Sequence, residues 1–92
     1  MRDPLKIDLQ SLALAINSIA PHSTAHVTGE SLVLDDVIIK LNNGIIIIGK
    51  TKTRYRSLKE LIDILHREHI LVCKMEQVFE IAHEYNRLCL KH

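Results

Sequence analysis

The hydrophobic pattern predicts an α+β fold: an N-terminal helix, an antiparallel β-hairpin or meander of three to four strands, then two C-terminal helices. Three observations carry this prediction. Apolar residues near the start recur at helical spacing, and residues 31–52 switch to short β-branched runs around an Asn-Asn-Gly turn. Residues 57–90 then return to helical spacing behind a capping box. With 92 residues, the chain is expected to form a single domain over 1–92.

The first helix is expected to start with Asp3 as N-cap and Pro4 at the first helical position, where a missing N–H costs nothing. Leu5, Leu9, Leu12, Ile16 and Ile19 form its apolar stripe, and Pro21 ends it. Ile7 and Leu14 fall off that stripe and are candidates for a second contact line.

Residues 22–30 read as turn, with room for a short edge strand at Ala25–Thr28. Ser31–Leu34 and Val37–Leu41 follow as strands joined at Asp35-Asp36, and Ile45–Lys52 is the return strand after Asn42-Asn43-Gly44. A three-residue loop with Gly44 left-handed would pair Leu41 with Ile45 and set Asp36 opposite Lys50. A two-residue Asn43-Gly44 loop would instead pair Leu41 with Ile46 and Lys40 with Ile47. The cross-strand ion pair favours the first register.

Ser57 and Glu60 form the capping box of the second helix, whose buried stripe is Leu58, Leu61, Ile62 and Leu65. The period breaks around His69-Ile70-Leu71-Val72, which places a turn there. A last helix runs from about Lys74 to Leu90. Its apolar residues sweep roughly 200°, more than one surface stripe needs.

Composition narrows the function classes. Lys plus Arg is 12 and Asp plus Glu is 11, a net charge of +1, which argues against a polyanion binder working by bulk charge. Ile, Leu and Val supply 31 residues and aromatics only three, so neither a ligand pocket nor a base-stacking platform is favoured. There is no Gly-rich phosphate loop and no GxSxG elbow. Asp35-Asp36 reads as a turn, and Cys73 with His69 lacks an orienting third group. Catalysis is therefore not expected.

His66, His69 and Cys73, with His83, Cys89 and His92, have zinc-compatible chemistry but no ligand-knuckle spacing. On one helix, Cys89 would lie about 24 Å from Cys73, too far to share an ion. Neither a metal nor another cofactor is expected. Two cysteines make no disulfide framework, no run reaches a membrane span, and the start does not read as a signal peptide, so a cytoplasmic location is expected.

The four-isoleucine run Ile45–Ile48 cannot point to one face, because strand side chains alternate. An apolar strand on both faces must be covered on both. Together with the broad apolar arc of the last helix, this favours a small non-enzymatic protein-interaction module: an adaptor, an inhibitor or an assembly factor. It would act as a homo-oligomer, such as a dimer, or on a larger protein. Its expected interface is Ile7, Leu14, Ile46, Ile48, Ile81, Tyr85 and Leu88. The alternative is a nucleic-acid-binding accessory protein using the strand end 50–56, where Lys50, Lys52, Arg54 and Arg56 alternate and could track phosphates. Reading of DNA by the last helix is disfavoured, since Glu76, Glu80 and Glu84 form a stripe that a phosphate backbone repels.

Overall fold

A computed structural model of the chain describes residues 6–90. Its elements are α1 (Leu9–Ile19), β1 (Ala25–Thr28), β2 (Ser31–Leu34), β3 (Val37–Asn42), β4 (Ile45–Ile48), β5 (Thr51–Arg54), α2 (Leu58–Arg67) and α3 (Met75–Leu90). The α+β order matches the sequence pattern, but the sheet has five strands rather than three to four. Ala25–Thr28 pairs as a full edge strand, and Gly49-Lys50 folds the expected return strand into two.

The sheet is a meander in sequence order, every neighbour antiparallel. Each connection is a two-residue turn, as the closing pairs Thr28↔Ser31, Leu34↔Val37, Asn42↔Ile45 and Ile48↔Thr51 show. Such turns need positive φ at their first central residue, or at both, to match the twist of the strands. Gly29, Asp35, Asn43, Gly44 and Gly49 supply it. Asp35 also steadies its turn, donating its N–H to the Thr24 carbonyl and accepting the Thr24 N–H on Oδ1.

The register is the two-residue alternative. Leu41 pairs with Ile46 and Lys40 with Ile47, so the expected pairing of Leu41 with Ile45 and of Asp36 with Lys50 does not occur. The hairpin turn decides this: Asn43 and Gly44 both take positive φ, a geometry available only when they alone close the loop. An exposed ion pair is worth too little to compete.

Alternation then fixes the two faces of the sheet. Ala25, Leu32, Leu34, Ile39 and Ile46 point inward and are buried. They meet Leu12 and Ile16 of α1, Leu61, Ile62 and Leu65 of α2, and Val78 and Ile81 of α3 in one core. Each such side chain contributes about 1.5–3 kcal/mol by leaving water. Helix α1 lies against β1 and β2, and α3 packs on α1 and α2. All three helices thus belong to one side of the sheet.

Helix α1 starts later than its sequence suggests. Asp3 and Pro4 lie outside the described residues, and the residue before the first turn is Asp8, in extended conformation. Its carboxylate accepts from Ser11 Oγ, and its N–H donates to the Tyr85 hydroxyl of α3 at 2.8 Å. A local and a tertiary contact therefore meet at that boundary. Helix α2 follows its signals: Ser57 Oγ accepts the Glu60 N–H. It ends in a Schellman arrangement, with His69 N–H on the His66 carbonyl and Ile70 N–H on the Leu65 carbonyl.

Candidate functional site

Among the described residues, no element covers the outer face of the sheet. Cross-strand partners share a face, so its rows can be read from the register. One row runs His26–Val33–Ile38, the next Thr28–Ser31–Lys40–Ile47–Lys52, and the third Asn42–Ile45–Arg54. Ile38 is 58% exposed, and Val33, Ile45 and Ile47 are half-buried among their neighbours. Lys40, Lys52 and Arg54 are exposed. No strand contains an Asp or Glu; the nearby acids Glu30, Asp35 and Asp36 occupy turns. The face is thus apolar and cationic.

The expected interface residues do not form one surface. Ile46 and Ile81 are 1% and 0% exposed, and Tyr85 is buried, so these three belong to the core of a single chain. Ile48 shares the inward face with Ile46 and packs against that core, as Leu88 does from α3. Only the other parity of the isoleucine run, Ile45 and Ile47, faces outward. Ile46 and Ile48 therefore face the core and not a partner, since sequence alternation separates two sets without saying which set the helices cover. Leu14 is 57% exposed on α1, remote in role from the rest.

Ile7 and Tyr85 lie on one groove. They line this open groove with Leu9, Val27, Leu41 and Cys89 where the start of α1 and the end of α3 approach the sheet. Burial, before any other cause, pushes the Tyr85 hydroxyl up to about 12, and its oxygen already accepts the Asp8 N–H. Tyr85 is therefore a structural hydroxyl at neutral pH, with no sign of activation as an acid or base.

The basic run is split. Lys52 and Arg54 share the outer face on β5, Lys50 occupies the β4–β5 turn, and Arg56 follows the buried Tyr55 beyond the strand. The expected single row of four cations is replaced by a group the sequence did not suggest, with Lys40 two strands away in the row of Lys52. Pairing register is the missing information there.

His66, His69 and Cys73 serve the fold, and His92 lies outside the described residues. His66 Nε2 lies 2.9 Å from the Cys73 carbonyl oxygen, tying the end of α2 to the loop before α3. His69 is exposed with φ of 60°, the left-handed residue that closes α2. Burial raises the Cys73 thiol above its ordinary range, the reverse of what a nucleophile needs. Among the described residues, no three His, Cys, Asp or Glu side chains gather where they could hold a metal ion. No helix there is long and apolar enough to cross a membrane. Neither a protein-family model, nor a curated protein, nor a solved structure matches this chain.

Proposed function

We propose that this chain is a small non-enzymatic protein-interaction module whose docking surface is the outer face of the five-stranded sheet. One observation carries the reading: Val33, Ile38, Ile45 and Ile47 lie on that face among Lys40, Lys52 and Arg54, and no element of the described chain covers them. Helices shelter the other face. Apolar side chains on a sheet face that no helix covers mark a contact site, and the interspersed cations select the partner and keep the free face hydrated.

The test is Ile38→Ser. A surface truncation of this kind changes stability little, about 0.5 kcal/mol, while removing apolar contact from the middle of the face. Sedimentation velocity across a concentration series should show association weakened with the melting temperature nearly unchanged. Association equal to that of the wild type would assign docking to another surface.

A second reading, a nucleic-acid-binding accessory role, draws support from the placement of Lys40, Lys52 and Arg54 on one face with Lys50 in the adjoining turn. Contact there would be chiefly with phosphates, because Tyr55 and Tyr85 are buried and Phe79 belongs to α3, which leaves the exposed His26 as the one ring on this face of the described chain. Oligonucleotide binding whose salt slope falls on Lys52→Ala with Arg54→Ala would support it; an unchanged slope would remove it.

A further inference from the structure

We propose that the occupant of the open sheet face is α3 of a second copy of this chain, so that copies associate head to tail. The inference rests on the docking role of the sheet face and adds the identity of the partner. The buried side of α3 carries Val78, Ile81, Tyr85 and Cys89. At about 100° per residue, Glu76 and Glu80 project from the opposite side. Both are exposed, and beside them Met75 and Phe79 are 57% and 55% exposed. This surface is apolar and anionic where the sheet face is apolar and cationic.

The other charges on that side of α3 are accounted for. Arg87 is bound to Glu84 through two hydrogen bonds, and Lys59 of α2 lies 4.7 Å over the Phe79 ring. Glu76 and Glu80 form no ion pair among the described residues, and neither do Lys40, Lys52 and Arg54. A symmetric sheet-to-sheet contact would set three cations against three cations, and a symmetric α3-to-α3 contact would oppose the glutamates. Like charges brought together in this way disfavour both arrangements. Sheet against α3 is the pairing in which both apolar and charged groups match.

Because α3 packs on α1 and α2 and the outer face belongs to the sheet alone, the two surfaces are separate and both remain open on a single chain. Such a contact is heterologous, so it propagates unless it closes into a ring. Five strands about 4.8 Å apart, four of them four residues long and β3 six, give a footprint of roughly 300 Å². That footprint, about 600 Å² counted over both partners, is well under what a stable dimer buries, so the contact forms only at high protein concentration.

Charge exchange tests this. Lys40→Glu with Lys52→Glu reverses the sheet face, and Glu76→Lys with Glu80→Lys reverses α3. All four positions are exposed, so each variant should keep the wild-type circular dichroism spectrum. Each double variant is expected to raise the self-association constant Kd by about tenfold or more. The quadruple variant, identical in composition to the wild type, is expected to restore association to within about threefold, a recovery no sheet-to-sheet contact would give. If only the sheet variant weakens association, the face docks but α3 is not its occupant. If neither double variant has an effect, the docking role of the sheet falls too. A wild-type chain that stays monomeric to about 1 mM, or one that binds a duplex oligonucleotide there instead, overturns the head-to-tail contact.

Discussion

Asn17 provides a direct test of how α1 is held to the sheet. Its carboxamide Nδ2 donates to the Ala25 carbonyl and its Oδ1 accepts the Ala25 N–H, both at 2.7 Å. Ala25 opens edge strand β1, where its backbone groups point away from β2, so the side chain of Asn17 stands in for a missing strand. Asn17→Ala removes both bonds. Two neutral hydrogen bonds contribute about 2 kcal/mol net, and alanine regains roughly 0.6 kcal/mol of helix propensity. The expected loss is about 1.4 kcal/mol, a fall in melting temperature of roughly 6–11 °C for a domain of this size. Urea unfolding followed by circular dichroism should show a lower midpoint with an unchanged slope. Asn17→Asp keeps the acceptor but sets a carboxylate against the Ala25 carbonyl, and should lose at least as much. A loss under about 0.3 kcal/mol for the alanine variant would refute the view that this bidentate contact fastens β1 to α1.

Two further predictions concern the helix and turn chemistry. The Tyr85 hydroxyl is pushed from 10.0 up to about 12 by burial, so the folded chain holds a proton that the unfolded chain loses first. Its contribution is fully present below pH 10 and is lost as pH rises through 10 to 12, at about 1.4 kcal/mol per pH unit; Tyr85→Phe should flatten that part of the stability profile, and an identical profile would place the titration elsewhere. Gly49 has φ of 60° with nothing within 4 Å of an added Cβ. Gly49→Ala should therefore cost about 1 kcal/mol from backbone strain alone, with Gly49→Asn recovering part of it, and equal stability of all three proteins would contradict a left-handed turn at this position.

Much of the fold is legible in the sequence alone. The Ser57 cap of α2, the helical stripes, the place of a turn at Asn42-Asn43-Gly44, though not its two-residue form, and the class α+β are local signals, carried by residues that interact within one or two turns of chain. Local signals survive because the same short-range forces act in every context. The start of α1 is not among them. Asp8 takes that position, where its carboxylate meets Ser11 and its N–H meets Tyr85, a residue 77 positions away.

The docking surface shows the same division. Alternation within Ile45–Ile48 separates two pairs of side chains in the sequence alone, and the absence of acids from the strand residues is likewise a property of the chain. Which pair is covered depends on where three helices pack, and only the tertiary structure puts Ile46 in the core and Ile45 and Ile47 outside. The Lys40–Ile47–Lys52 row depends on register, which a one-residue slip would invert. Sequence determined the kinds of residue each strand could present; long-range packing, a non-local balance that no window of sequence contains, decided which of them face solvent.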